Sequence, residues 1–345
     1  LVIPDTLDGH RVVSIGHKSF ADNQYLNSVI IPDSVTTIAS GAFGRCINLS
    51  EVTLSSNLLQ MDTHAFFNCD KLQYIEIPKS LEKSESAYIP EYVYDYQVGP
   101  FYGCDGLKQV FIEPGTTKIV EGLFANCPGL QSVSIPDTVT EIGYKAFAWA
   151  ENLAAVKFGN SLTKIDGEAF RNTAVTELNI SDSVTNIDGG AFAKCAELTS
   201  VHLPKSLVRM DAHAFFDCDK LTSIEIPKYL EKSEEVYIYE FAYGYQPGPF
   251  FNCDGLETVT FEDGIKQIAP RLFANCPGIK NVTIPDTVTK IDYKAFAWAE
   301  NLTEVKLGNS LTSIGGEAFR NTGITNLDIA EPVTTINGGA FAKCA

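Results

Sequence analysis

The stretch IPDSVTTIASGAFGRCINLSEVTL, residues 31–54, is one cycle of a pattern that organises the whole chain. Its marker is the pair Ala42-Phe43. Six residues past that Phe stands Leu49, followed by Val52 and Leu54, two apolar positions at the period-2 spacing of a half-buried strand. Pro commonly follows such a pair, as at Pro32, Pro78, Pro136, Pro204, Pro227 and Pro285. A residue without an N–H should end a strand there. A second apolar pair, Val35 and Ile38, lies on the return limb, after which the chain turns towards the next Ala-Phe. The interval from Phe to Leu has room for no more than one or two helical turns.

Outward from this cycle, the marker recurs at Phe20, Phe66, Phe101, Phe124, Phe147, Phe170, Phe192, Phe215, Phe250, Phe273, Phe296, Phe319 and Phe341. Most steps are 23 residues; they are 35 after Phe66 and Phe215, and 22 after Phe170 and Phe319. Both pairs of exceptions are 149 residues apart, which marks a six-repeat block that was duplicated. Residues 144–153, YKAFAWAENL, return unchanged at 293–302. A unit this short buries too few side chains to offset the ordering of its backbone, so stability must come from stacking on its neighbours. The pattern predicts an α/β-type repeat solenoid with a parallel β-ladder, a single body over residues 1–345 of about fourteen units with two 12-residue insertions. The chain stops soon after Phe341 in mid-unit, so a capping continuation beyond Ala345 is expected.

Written as a consensus, the unit is I-P-x-S-V-T-x-I-x-x-x-A-F-x-x-C-x-x-L-x-x-V-x-I. It resembles the BspA-like, or Treponema-type, leucine-rich repeat family, and the opening IPDTLDGHRVVSIGHKSF at 3–20 resembles the first repeat of such arrays. The resemblance implies a right-handed leucine-rich-repeat superhelix. It also implies a bacterial cell-surface or secreted protein of a family in which some members act as adhesins, with related proteins in parasitic protists. The two long steps and the units without Cys, around Phe20, Phe147, Phe170, Phe296 and Phe319, depart from the family pattern.

Composition narrows the function. Apolar residues are 45% of the 345 and charged residues 20%, enough for a folded core. Acids outnumber bases 43 to 26, for a net charge of −17, which argues against nucleic acid and anionic membranes as partners. No apolar run is long enough to insert in a membrane. Leu1 opens neither with an initiator Met nor with a signal peptide and reads as a processed or cut end, so the surface location rests on the resemblance alone.

No residue pattern points to catalysis. All nine Cys (Cys46, Cys69, Cys104, Cys127, Cys195, Cys218, Cys253, Cys276 and Cys344) fall three residues after a marker Phe. The same slot elsewhere holds Asn23, Ala150, Thr173, Ala299 and Thr322, so it demands a small side chain and predicts free, buried thiols. A disulfide ladder would need Cβ atoms about 3.5–4.5 Å apart, whereas ladder neighbours sit about 4.8 Å apart. Zinc lacks its C-x-x-C pair. The histidines, His10, His17, His64, His202 and His213, form no metal or triad motif. Glu76 and Glu225 point outward between inward Ile residues, with no cleft to hold a two-carboxylate mechanism. The expectation is a non-enzyme with no cofactor and no metal.

Two surfaces remain as binding candidates. The insertions, KSLEKSESAYIPEYVYDYQVGPF at 79–101 and KYLEKSEEVYIYEFAYGYQPGPF at 228–250, put Tyr88, Tyr92, Tyr94 and Tyr96, and then Tyr237, Tyr239, Phe241, Tyr243 and Tyr245, at alternate positions. In an extended segment each set would share one face, suited either to a partner or to covering the solenoid's flank. The second surface is the outward row of the ladder: Ile30, Thr53, Glu76, Phe111, Ser134, Lys157, Asn179, His202, Glu225, Thr260, Thr283, Lys306 and Asp328. Together these features read as a non-enzymatic interaction or adhesion module that binds host or neighbouring-cell protein. A carbohydrate-binding platform and a structural spacer carrying other domains are the alternatives.

Overall fold

The computed structural model describes residues 1–84, 99–234, 247–329 and 331–345. It contains two compact units, Leu1–Leu162 with Ala169–Val175, and Thr163–Glu168 with Thr176–Ala345. In each unit the backbone coils through a short front strand, a two-residue back strand and a side made of tight turns.

The front strands form where the V-x-I pattern sits. Ser28–Ile30 pairs in parallel with Glu51–Thr53 in the first unit. Asn281–Thr283 pairs with Glu304–Lys306 in the second, so residues one 23-residue step apart face each other. Back strands form at the return limb, where Ser14–Ile15, Thr37–Ile38 and Gln60–Met61 make a parallel set and Gln267–Ile268, Lys290–Ile291 and Ser313–Ile314 another. The inward Ile, Val and Leu of both limbs are buried.

The marker phenylalanines form the spine. In the first unit Phe20, Phe43, Phe66, Phe101, Phe124, Phe147 and Phe170 stack with ring centroids 5.1–5.8 Å apart. In the second, Phe192, Phe215, Phe250, Phe273, Phe296, Phe319 and Phe341 do so at 5.2–5.8 Å. The offset between neighbouring rings suits the quadrupole of each.

The third side corrects the α/β expectation: no residue of the described segments is helical. The reason lies in the backbone beside each Phe. Except at Gly99 and Gly248, residues two before and two after it take left-handed φ, for example His64 (61°) and Asn68 (50°), or Lys294 (57°) and Trp298 (61°). Their N–H groups are thereby aimed at the next unit instead of along a helix: Asn68 donates to the Tyr102 carbonyl at 3.0 Å, Asn126 to Ala148 at 2.7 Å and Trp298 to Arg320 at 2.7 Å. A ladder of turns replaces the helix and satisfies the same donors.

The long steps leave the front ladder and the spine intact. Tyr74–Ile77 pairs with Gln109–Ile112, and Ser223–Ile226 with Thr258–Phe261, four residues in register across each insertion. Phe66 meets Phe101, and Phe215 meets Phe250, at 5.3 Å. The extra chain departs from the back limb, just after the bridges Gln60↔Lys83 and Arg209↔Lys232. It returns through Gly99-Pro100 and Gly248-Pro249, whose carbonyls accept from the N–H groups of His64, Phe66, His213 and Phe215. Near the start, Thr6–Leu7 and His10–Arg11 form an antiparallel hairpin over Asp8-Gly9, both at positive φ, as the Asp-Gly pair favours.

Candidate interaction surface

All thirteen residues of the outward front row are exposed, from Ile30 to Asp328. This follows from strand geometry: with Val29, Ile75, Val133 and Val282 turned inward, their neighbours must turn out. Between the units the front face, which includes further outward residues such as Tyr74, differs in character. In the first, Ile30, Tyr74 and Phe111 leave 47%, 48% and 43% of their surface open, large apolar side chains on a face that is otherwise polar. Beside them lies a groove of about 530 Å³ with Glu51, Thr53, Ser56, Tyr74, Glu76 and Glu113 in its wall. The Tyr74 phenol is held above its ordinary range by burial against that wall and by the negative charge of Glu76. In the second unit the front face carries a polar hollow of about 670 Å³ bordered by Thr283, Glu304, Lys306, Asn326 and Asp328.

The tyrosine rows of the insertions, Tyr88, Tyr92, Tyr94, Tyr96, Tyr237, Tyr239, Phe241, Tyr243 and Tyr245, lie outside the described residues. The attachment points of the insertions do not. Lys79 donates its backbone N–H to Glu113 at 2.9 Å while its Nζ sits 3.3 Å from the same carboxylate. The copy repeats this with Lys228 and Glu262 at 3.0 and 3.5 Å. A Cβ on Gly99 would lie 1.8 Å from the Gly122 carbonyl oxygen, and one on Gly248 would lie 1.7 Å from that of Arg271, so the returning chain admits only glycine. At the second insertion Arg209 grips the fully buried carboxylate of Asp211 through Nε at 2.8 Å and Nη2 at 2.5 Å.

The thiols are free, and all but Cys344 are buried. Their slot has a use that sequence reasoning missed: the S–H reaches the carbonyl of the preceding marker Phe, Cys46 to Phe20 at 3.1 Å, Cys104 to Phe66 at 3.0 Å and Cys276 to Phe250 at 3.0 Å. Thr173 and Thr322 instead donate to the Phe of their own unit, Phe170 and Phe319, at 2.9 Å. Burial pushes the thiols of Cys127, Cys218 and Cys276 well up, so none of them is a ready nucleophile. His64 is buried among aromatic rings, 5.2 Å from Phe67 and 5.8 Å from Tyr102, and burial lowers its pKa to about 4. Its block copy His213 packs likewise on Phe216 and Phe251. Glu76 and Glu225 stand exposed on their strands, as expected from their position. Among the described residues, no three His, Cys, Asp or Glu side chains are grouped to hold a metal ion, and no helix is long and apolar enough to cross a membrane.

Outside the front face, the repeated decamer builds a cation-aromatic cluster that the sequence reading did not single out. Lys145 Nζ lies 5.0 Å from the Tyr144 ring and 5.2 Å from that of Trp149, which also meets the buried Arg171 guanidinium at 5.0 Å. Tyr293, Lys294, Trp298 and Arg320 reproduce it. The signal was present in the unchanged copy, but only the turn geometry places Lys and Trp side by side.

Compared with known protein families, the chain matches the BspA type leucine-rich repeat region over residues 13–88, 83–198, 117–243 and 246–345. Among solved structures it is similar to a leucine-rich repeat protein from Bacteroides ovatus ATCC 8483, with a TM-score of 0.61 at 22% identity, covering 93% of this chain and 84% of that one. That likeness is one of fold. A leucine rich cell surface protein from Faecalibacterium prausnitzii A2-165 aligns at 24% identity and a TM-score of 0.44, covering 100% of this chain and 90% of that one. The pneumococcal vaccine antigen PcpA aligns at 15% identity and a TM-score of 0.45, over 98% and 84%. No curated protein matches the chain.

Proposed function

Because this chain belongs to the BspA-type leucine-rich repeat family, we propose that it is a non-enzymatic cell-surface module that binds protein, host or neighbouring-cell in origin, through the open front face of its ladder. One observation carries this reading. Between the two block copies the inward positions stay apolar, while several outward positions change type, although outward Glu76 and Lys157 recur as Glu225 and Lys306. Inward Ile75, Ile77 and Val110 recur as Ile224, Ile226 and Val259, while outward Glu51, Thr53, Tyr74 and Phe111 become Ser200, His202, Ser223 and Thr260. A pure spacer would have no cause to give this face its own side-chain pattern in each unit. The tyrosine rows of the insertions are the second candidate surface on the same reading.

The test is an array of secreted and surface proteins run beside a glycan array. Protein binding is expected, weakened by Glu76→Lys or Lys306→Glu on the front face and unchanged by Lys266→Ala on the back limb. Replacing Tyr92, Tyr94, Tyr239 and Tyr243 by Ser reports whether the insertions contribute. Binding to glycans alone, or to nothing on either array, refutes the proposal in favour of a sugar platform or a spacer.

A further inference from the structure

The duplication provides an internal control for which front-face residues the fold demands. In the first copy Tyr74 faces Gln109 and Glu76 faces Phe111; in the second Ser223 faces Thr258 and Glu225 faces Thr260, in the same four-residue parallel register. The ladder therefore forms equally with Ser and Thr where the first copy has Tyr and Phe. Tyr74 and Phe111 nonetheless stand half open to solvent, and an exposed aromatic pair that packing does not require marks a surface with a partner. Ile30, equally open, extends the apolar strip one strand pair away, opposite Thr53.

One of the charges around this strip is also peculiar to the first copy: Glu76 and Glu113 recur as Glu225 and Glu262, but Glu51 has no acidic counterpart. The groove beside Tyr74 is walled by the carboxylates of Glu51, Glu76 and Glu113, and among the described residues no Lys or Arg lines it. Glu113 is braced by Lys79, while Glu51 and Glu76 stand exposed on adjoining strands. At the matching positions of the second copy Glu51 is replaced by Ser200, Thr53 by His202 and Ser56 by Lys205. The Glu51 carboxylate and the aromatic pair thus occur together in the first copy, and the second copy has neither and carries Lys205 instead, as expected when both serve one contact.

We propose that this groove is the protein-recognition site of the first unit, and that it takes a segment bearing Lys or Arg next to an apolar side chain. The cation sits between Glu51 and Glu76 and over the face of Tyr74, and the apolar neighbour packs on Phe111. The carboxylates attract the cation and the ring quadrupole adds to that attraction. A neutral sugar could stack on Tyr74 but would leave the carboxylates without a counter-charge. The inference rests on the protein-binding reading above and deepens it by assigning the place and the chemistry.

The experiment screens the full chain against an array of short synthetic peptides of balanced composition. The bound set is expected to be enriched in Lys and Arg flanked by aliphatic or aromatic residues, with affinity falling as salt rises. Tyr74→Ser with Phe111→Thr, the second copy's own residues, should weaken binding by about tenfold or more and leave thermal unfolding unchanged. The reverse graft, Ser200→Glu, Ser223→Tyr, Thr260→Phe and Lys205→Ser, should create a second site and double the stoichiometry. Peptides without cationic preference, undiminished binding by the double variant, or its unfolding would each overturn the site. If whole proteins still bind in those cases, protein recognition survives and only its location is wrong. Failure of both peptides and whole proteins to bind removes the underlying reading as well.

Discussion

Replacing Phe124 by Ala takes one ring out of the interior of the first unit's aromatic column. Phe124 is fully buried, with Phe101 5.8 Å away on one side and Phe147 5.5 Å away on the other. Losing most of a buried Phe surface costs about 3 kcal/mol at about 25 cal/mol per Å². The two ring contacts add about 0.5–1.5 kcal/mol each, for a total of about 5 kcal/mol, at the upper end of the usual Phe→Ala range. Phe20 gives the comparison: it is half-buried and stacks on Phe43 at 5.1 Å, so Phe20→Ala should cost about 2 kcal/mol by the same reckoning. Urea unfolding followed by circular dichroism measures the difference, and hydrogen exchange read by mass spectrometry locates it. Each turn touches only its neighbours, so exchange should quicken first at amides such as Gly103 and Asn126, whose carbonyl partners lie one unit on. A loss below about 1 kcal/mol at Phe124, a loss equal to that at Phe20, or a uniform rise in exchange along the unit would show that the column is not what holds the turns together.

Three more outcomes follow from the buried groups. His64 has a folded pKa lowered to about 4 by burial, below the ordinary value of about 6.5, so the unfolded chain binds the extra proton between those values. Stability should therefore be intact above pH of about 6.5 and fall by up to about 3 kcal/mol as pH drops towards 4; His64→Asn, which suits the left-handed backbone there, should remove that part of the slope in urea titrations run across the window. Native protein should expose to a thiol reagent no Cys other than Cys344, and denatured, non-reduced protein all nine; a denatured count well below nine would mean disulfides. Gly99→Ala drives a methyl into the Gly122 carbonyl and should cost about 1–3 kcal/mol, visible as a lower unfolding temperature.

Much of this was legible along the chain. The Phe spacing located every ring of both columns, and the V-x-I pairs located the front strands, because period-2 burial is written in the side chains themselves. The outward row was read correctly for the same reason, and the small slot three residues past each Phe does hold free thiols. The helix allowed for between Phe and Leu did not form. Its failure was hard to foresee because Lys18, Arg45, Lys145 and Trp149, ordinary helix-compatible residues, occupy the left-handed positions alongside the more telling Gly41 and Asn68. The Arg209–Asp211 grip and the Lys79–Glu113 clamp also escaped notice. Charged pairs are too common in sequence for any one of them to announce a contact.

What the amino-acid order determined unaided was the repeat length, the stacked rings and the division into inward and outward residues. These depend on side-chain pattern within one turn, and one turn is contiguous in sequence. What the tertiary structure alone decided were the relations between turns. They include the N–H groups of the left-handed residues finding carbonyls one unit on, the thiols doing the same in reverse, and Gly99 lying against Gly122. They also include the meeting of Tyr74, Glu76 and Phe111 on adjacent strands although an insertion separates them in the chain. Such contacts are made by backbone register, which carries no side-chain signature, and so the front face took shape only when the turns stacked on one another.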